Sequence, residues 1–400
     1  MYKMYKMNGQ LFRCLVPAAV LTASFAAVAQ PAKTSPAVPE APAAAATATP
    51  LDRVMNGAEK AGFEGVVLVG DGSKVLFEKA VGTADRIRKT PHNVTNQWRW
   101  ASVTKQVTAT IVAQLVAEKK LDLDKPISTW LTPVQFNGRD AKKITIRNLL
   151  QHTSGLPNPD DGAPKDGVSP FYKRAVSPEG LHVMPARGFC AGDPKGNPGE
   201  KFEYNNCDYI VLAAIIEVVE QKSFSEVLDA RIARPLGLAR FGLASSENAI
   251  AKRNVDAEAV QGYLDKSKEE QKFNLASYGA AGALVGTPKD MLAFDRALLG
   301  DSLMSKEMKA KFWAGDAKLG YAALGAWSFP ATLNGCEQPV NLVERRGAIG
   351  GIQVRNILAP DKGRAVVVFT NRADWQFGEV WQGKGFSHEL LSAALCGDAK

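Results

Sequence analysis

The chain lacks the signatures of several common chemistries. Its 400 residues hold four histidines, His92, His152, His182 and His388, scattered singly and with no His-Glu-x-x-His, so a metal site is not expected and no cofactor is implied. Gly-x-Ser-x-Gly, Gly-x-x-x-x-Gly-Lys-Ser/Thr and Gly-x-Gly-x-x-Gly are absent, which argues against a nucleophile elbow, a P-loop and a dinucleotide fingerprint. No apolar run reaches the roughly 20 residues of a membrane span. Charge of one sign is not concentrated either. The formal +8 includes Lys3, Lys6 and Arg13 near the start, and the rest is spread along the chain, so no nucleic-acid partner is expected. With 46% hydrophobic and 22% charged residues, the composition is that of a globular protein with ample length for a core.

What is present begins with an export signal. Lys3, Lys6 and Arg13 precede an apolar stretch from Leu15 to Ala29 that closes on Ala27-Val28-Ala29, so residues 1–29 read as a signal peptide cleaved after Ala29. At about 15 residues the stretch is too short to span a bilayer, and no stable membrane insertion is expected after cleavage. The protein is therefore expected to be secreted or periplasmic. Residues 30–50 are almost entirely Ala, Pro, Thr and Ser and read as a disordered linker, leaving 51–400 as the folded body. Loss of Cys14 leaves Cys190, Cys207, Cys336 and Cys396, an even set suited to an oxidising compartment. Of the three possible pairings, Cys190 with Cys207 and Cys336 with Cys396 closes the shorter loops.

Gly65 to Val69, Asp71-Gly72 and Lys74 to Lys79 form a hairpin pattern. Val103 to Leu121, with Val107, Ile111, Leu115 and Val116 at helical spacing and few charges, predicts a buried helix. Helical stretches such as Tyr209 to Glu220 then alternate with Pro/Gly-rich loops. Thr287-Pro288-Lys289-Asp290 caps a helix running to about Leu299. Tyr321 to Phe329, Val340 to Arg346, Ile352 to Leu358 and Arg364 to Thr370 predict antiparallel strands, and Phe386 to Leu395 a closing helix. The fold class expected is α/β (α+β): one antiparallel sheet flanked by helices, built from about 51–125 and 285–400, with a helical insertion over about 126–284.

Ser102-Val103-Thr104-Lys105 is the single Ser-x-x-Lys in the sequence. At a helix start, residues three apart share a face, so Lys105 stands beside the Ser102 hydroxyl. A lysine in a dry pocket loses its proton more readily and can take one from serine. Tyr204-Asn205-Asn206 adds a phenol able to relay protons and an amide able to hold a substrate carbonyl or the lysine. Read as a plain turn, the same stretch would offer Asn206 or Asp208 as a helix cap. His152 reads as a hydrogen-bonded loop residue.

Ser102-x-x-Lys105 with Tyr204-x-Asn206 resembles the serine β-lactamase-like, penicillin-recognising superfamily, in its branch of class C β-lactamases, family VIII esterases and D-aminopeptidases. Leu149-Leu150-Gln151-His152-Thr153-Ser154-Gly155-Leu156, Arg234-Pro235-Leu236-Gly237-Leu238 and Ala281-Gly282-Ala283-Leu284 extend the resemblance over roughly residues 52 to 396. It implies Ser102 as nucleophile, Lys105 and Tyr204 sharing acid/base work, and Asn206 orienting substrate. The third motif departs. Where the family carries Lys-Thr-Gly or His-Thr-Gly, the matching stretch is Arg345-Arg346-Gly347-Ala348-Ile349-Gly350-Gly351, with Ala348 and Ile349 unable to supply a cation or hydroxyl. Gly350 keeps the strand able to approach a substrate, the Gly351 N–H is a candidate to complete an oxyanion hole with that of Ser102, and Arg346, on the face of Ala348, is a candidate replacement charge. The expectation is a serine hydrolase cleaving an ester or amide of a small molecule or peptide through an acyl-enzyme. The altered motif weighs against a β-lactamase or D,D-carboxypeptidase, and a catalytically weak binding protein for penicillins or cell-wall peptides stands as the contrasting class.

Overall fold

The computed structural model describes residues 48–161, 167–174, 182–244 and 259–397. The expected signal over 1–29 and all but the last three residues of the expected linker over 30–50 lie outside the described residues, and Pro50 is already the first residue of a helix. Thr49 opens the body as the cap of helix Pro50–Lys60, its hydroxyl accepting from the Asp52 N–H while Asp52 reaches back to the Thr49 N–H. This reciprocal box satisfies two donors that a helix start leaves orphaned.

Six antiparallel strands form the main sheet in the order Val75–Val81, Gly65–Asp71, Arg364–Thr370, Ile352–Ala359, Val340–Ile349, Trp327–Ala331. The N-terminal hairpin thus pairs with the last strand, Val67 opposite Val368, and the sheet is assembled from both ends of the chain as expected. Asp71 makes the hairpin turn, its Oδ1 accepting from the N–H groups of Ser73 and Lys74 at 2.7 and 2.8 Å. The period of two in a strand sorts side chains onto two faces. Val67, Val69, Ile357, Val366 and Val368 pack with Met55, Leu390 and Leu391 of the terminal helices. Val66, Leu68, Val354, Leu358, Val367 and Phe369 pack on the other side with Trp98, Trp100, Val107 and Ile111. Each such side chain contributes about 2 kcal/mol on burial.

The second face carries helix Pro288–Leu299, opened by the Thr287/Asp290 capping box, and the helix Thr104–Ala117. The latter is buried along most of its length, as its small and apolar residues on all sides require. Between the two parts of the sheet the described residues form short helices, among them Ile146–Leu150, Asn206–Glu220 and Phe224–Leu228, separated by irregular segments, with short strands at Gly242–Leu243 and Leu284–Gly286. One predicted strand is shorter than its pattern. Tyr321 to Phe329 yields only Trp327–Ala331, because Gly320, Tyr321 and Gly325 adopt positive φ of 63°, 64° and 94°, incompatible with extended backbone.

Disulfides join Cys190 to Cys207 and Cys336 to Cys396, the pairing that closes the shorter loops. The first ties the opening turn of helix Asn206–Glu220 to the turn Phe189–Ala191. The second ties the final helix, at its last residue, to the segment after strand Trp327–Ala331.

Candidate active site

Ser102 lies in a 3-10 turn, Ala101–Val103, that leads directly into the buried helix. Three bonds fix this turn: Trp100 N–H to Leu284 O at 2.8 Å, Thr104 Oγ1 to Ala101 O at 2.6 Å, and Leu284 N–H to Thr104 Oγ1 at 3.2 Å. Ala101 is held at φ 47°, a left-handed conformation that a non-glycine residue adopts only where its surroundings over-determine it. The turn leaves Ser102 partly open, whereas the next residues are buried.

Lys105 is fully buried. Its Nζ reaches Ser102 Oγ at 3.3 Å, Asn206 Oδ1 at 2.7 Å and Ala281 O at 2.6 Å. Burial strips water from the ammonium and pushes its pKa down to about 8, with the Arg345 charge adding to the fall and Tyr204 opposing it. Tyr204 Oη sits 2.6 Å from Ser102 Oγ on the other side. Burial alone pushes this phenol up, but the charges of Lys105 and Arg345 and hydrogen bonding with Lys105 and Ser102 outweigh it, and its pKa lies below the usual value. Ser102 Oγ is therefore held between two groups whose protons are loosened, the arrangement that general-base activation of a hydroxyl requires.

Asn205, not Asn206 or Asp208, caps the Asn206–Glu220 helix, accepting from the Cys207 N–H at 2.8 Å. That frees Asn206 for Lys105. Its amide is fully committed, since Nδ2 donates to Tyr172 Oη at 2.7 Å and Asp160 Oδ2 at 2.9 Å. In this arrangement Asn206 orients the lysine, and both of its N–H donors are engaged.

The third strand departs from expectation at each position proposed for it. Gly350 and Gly351 form the tip of the hairpin, and the Gly351 N–H donates to Glu270 Oε2 at 2.7 Å, where Arg99 also binds the carboxylate through both oxygens. A Cβ on Gly350 would lie 2.2 Å from the same Oε2. Gly350 makes room for this partly buried ion pair and Gly351 for the backbone of Gly262 and Tyr263, and the Gly351 N–H is already engaged by Glu270. Arg346 points to the other face, paired with Glu344 at 3.0 Å and Glu379 at 2.8 Å and stacked over Trp381. There it lines an aromatic cavity of about 620 Å³ with Tyr321, Trp327, Phe329 and Trp381.

The residue that meets the site is Arg345, which the sequence reading passed over. It is 1% exposed, donates from Nε to Ser102 O at 3.0 Å and from Nη2 to Tyr204 Oη at 3.3 Å, and faces the rings of Trp327 and Tyr204. Two positions on, a Cβ at Gly347 would lie 2.7 Å from Trp100 O and 3.0 Å from Ser102 N. Glycine at 347 is what lets this strand lie against the Ser102 turn. The same alternation that puts Gly347 there puts Arg345 on the site face, and that was the available signal.

Behind Tyr204, His152 packs at 4.6 Å between ring centroids. Its Nδ1 is 2.9 Å from Asp208 Oδ2, and Asp208 Oδ1 accepts from the Ser154 hydroxyl. Burial, reinforced by Arg345 and Lys105, holds His152 well below the usual imidazole range, while burial raises Asp208 well above the carboxylate range. Both shifts favour the uncharged forms of the pair. Among the described residues no group of three or more His, Cys, Asp or Glu converges as a metal would need, and no helix is long and apolar enough to cross a membrane.

Comparison with known proteins gives one consistent answer. The family model described as Beta-lactamase matches residues 47–383. Penicillin-binding protein 4* of Bacillus subtilis (strain 168) is 24% identical over 338 residues, spanning 79% of this chain and 70% of the relative. Esterase EstB of Burkholderia gladioli is 30% identical over 214 residues, 51% of this chain and 53% of the relative. The solved structure of a D-stereospecific amidohydrolase from Streptomyces sp. matches with a TM-score of 0.67 and 24% identity, covering 88% of this chain and 99% of that one.

Proposed function

The chain belongs to the Beta-lactamase family, and from that premise we propose that it is a serine hydrolase that cleaves an ester or amide bond through an acyl-enzyme on Ser102. The observation that carries this reading is Ser102 Oγ, held 2.6 Å from Tyr204 Oη and 3.3 Å from Lys105 Nζ. The Lys105/Tyr204 pair takes the Oγ–H proton as the oxygen attacks the carbonyl carbon. The same pair returns a proton to the leaving alcohol or amine as the C–O or C–N bond breaks, then activates the water that releases the acid.

The tetrahedral intermediate needs two N–H donors. One is that of Ser102. The other we assign to Ala348. Ile349 pairs with Ile352 across the two-residue turn Gly350-Gly351, and Ala348 with Gln353. Such a turn makes the closing pair the hydrogen-bonded one, and alternation along the ladder turns the Ala348 N–H away from strand Ile352–Ala359. Strand Trp327–Ala331 pairs no further along than Glu344, so this N–H faces the open side next to Gly347 and the Ser102 turn. Arg345 supplies the cation that Ala348 and Ile349 cannot.

Export belongs to the same reading, supported by the signal pattern of residues 1–29 and by two disulfides of a kind that persists in oxidising compartments. The test is intact-mass analysis of the mature protein after exposure to a fluorophosphonate, with the adduct mapped by peptide. One adduct, on Ser102 and absent from Ser102→Ala, is the expected result. No adduct on folded protein would put the catalytically weak binding protein in its place.

A further inference from the structure

The strand that lies against the nucleophile is paired on one side only over its last residues, Arg345 to Ile349. Strand Ile352–Ala359 pairs with them, whereas strand Trp327–Ala331 stops at Glu344. A strand end bonded along one edge opens more easily than one inside a sheet. Arg345 ties the near part to the Ser102 turn. Glu270 ties the far part, beyond Ala348. Its Oε2 accepts from the Gly351 N–H at 2.7 Å at the hairpin tip, and its two oxygens accept from Arg99 Nη1 at 2.8 Å and Nη2 at 2.7 Å. Arg99 ends the short strand Trp98–Arg99, which pairs with Leu284–Gly286 and leads directly into the Ser102 turn. One carboxylate therefore bridges the tip of one wall of the site to the root of the other. The side chains of Arg99 and Glu270 are only 12% and 9% exposed, so their paired, charged hydrogen bonds are short and little screened. Two glycines clear the space for Oε2: a Cβ would lie 2.2 Å from it on Gly350 and 2.3 Å on Gly262. Gly262 has no positive φ, so its missing side chain serves this approach and not a turn.

We infer that Glu270 is a positioning residue which, through Arg99 and the Gly351 N–H, sets the gap between the two oxyanion donors, the N–H groups of Ser102 and Ala348. This inference rests on the serine hydrolase reading above and on the donor assigned there to Ala348. Contact at Gly347 stops the strand from coming nearer to the turn, and the Glu270 bridge keeps it from drifting away. Acylation and deacylation both pass through the oxyanion, so a donor misplaced by about 1 Å costs up to about a hundredfold in rate.

The experiment reads the oxyanion directly. Trifluoromethyl propyl ketone carries the same acyl chain as 4-nitrophenyl butyrate. Ser102 Oγ adds to its carbonyl carbon, the Oγ–H proton passes to the Lys105/Tyr204 pair, the carbonyl oxygen becomes the oxyanion, and nothing leaves. The Ki of this ketone and kcat/KM for the ester are measured on wild type, Glu270→Gln and Gly262→Ala, with active sites counted by labelling to completion with a fluorophosphonate. Glu270→Gln keeps an oxygen for the Gly351 N–H and loses the charge that holds Arg99. Gly262→Ala keeps the charge and places a Cβ 2.3 Å from Glu270 Oε2 and 2.7 Å from Arg99 Nη2, so that it displaces side-chain ends and spares the backbone. Each variant should lower kcat/KM per labelled site about ten- to a hundredfold and raise the Ki by the same factor. A merely structural Glu270 would reduce the melting temperature and the number of labelled sites while both constants per site stayed at wild-type values, which overturns the inference. If Glu270→Gln does not fold, Gly262→Ala decides alone, a raised Ki supporting the inference and an unchanged one overturning it. Variants that match a wild type labelled at Ser102 remove the role of Glu270 and leave the hydrolase reading standing. A wild type that takes no label removes both.

Discussion

Replacing Arg345 by methionine removes a full charge from beside the acid/base pair and should move the pH dependence of the reaction by a calculable amount. The Nη2 to Oη distance is 3.3 Å, which places the centre of the guanidinium charge roughly 4 Å from the phenol oxygen. At that separation and an effective dielectric of about 20, the interaction is about 4 kcal/mol, or about three pKa units as an upper limit. Water entering the vacated space raises the local dielectric, so one to two units is the expected shift. The group that loses a proton to become active is the Lys105/Tyr204 pair, with Lys105 pushed down to about 8. Activity should therefore rise with pH through a limb near 8 in wild type. Because Arg345 lowers the pKa of both partners, its loss raises them and moves the limb to higher pH, costing about tenfold or more at pH 7. The assay is kcat/KM for 4-nitrophenyl butyrate from pH 6 to 10 on wild type, Arg345→Met and Arg345→Lys, the last of which should recover part of the shift. Stability should change little. Among the described residues no carboxylate pairs with Arg345, and removing an unpaired buried cation is neutral or stabilising. The Ser102 carbonyl keeps the Thr104 N–H as a donor. A limb in the same place with a uniformly lower plateau would refute the electrostatic role and leave Arg345 as a strut.

Two further outcomes test the same site. Lys105→Ala should lower kcat at least as severely as Tyr204→Phe, by about a hundredfold or more, because the lysine contacts the nucleophile and orders Asn206 as well; near-normal turnover by Lys105→Ala in a single-turnover assay would contradict it. Gly347→Ala should cost about 1–3 kcal/mol in a denaturant melt and most of the activity, since its Cβ meets the Trp100 carbonyl at 2.7 Å and the Ser102 N at 3.0 Å, both backbone atoms with little freedom to move; wild-type kcat/KM in this variant would show that the strand does not abut the nucleophile.

Much of the fold could be read locally because its signals are local. The Asp71-Gly72 turn, the Thr287-x-x-Asp290 box and the continuous apolar run within Arg364 to Thr370 each depend on a few neighbouring residues, and each appears where the pattern puts it. The approach of Lys105 to Ser102 was legible for the same reason, since a three-residue spacing at a helix start fixes their proximity. What was not legible depended on distant partners. Asn205, Asn206 and Asp208 are all competent caps by residue type. Lys105 claims Asn206, while Ser154 and His152 claim Asp208, and only Asn205 is left for the helix. Tyr321, expected in a strand, sits instead at φ 64° in a turn closed by its own N–H to Asp316 O at 2.8 Å.

The third strand shows how one misplaced glycine displaces several assignments together. Matching the family motif to the glycine of Ala348-Ile349-Gly350 puts the recognition end of the strand at the hairpin tip. Gly350 is glycine for a different reason: its φ of 57° and the approach of Glu270 require it in the turn. The glycine that faces the nucleophile is Gly347. Once the register is set there, the period of two sends the Arg345 side chain to the Tyr204 hydroxyl and Arg346 away to Glu344 and Glu379. The period of two in the ladder's hydrogen bonds likewise turns the Ala348 N–H to the open side. The charge, the close approach and the proposed second oxyanion donor thus come from 345, 347 and 348 of a single strand. A departure that looked like the loss of a motif is, in three dimensions, an arginine in the cation's place.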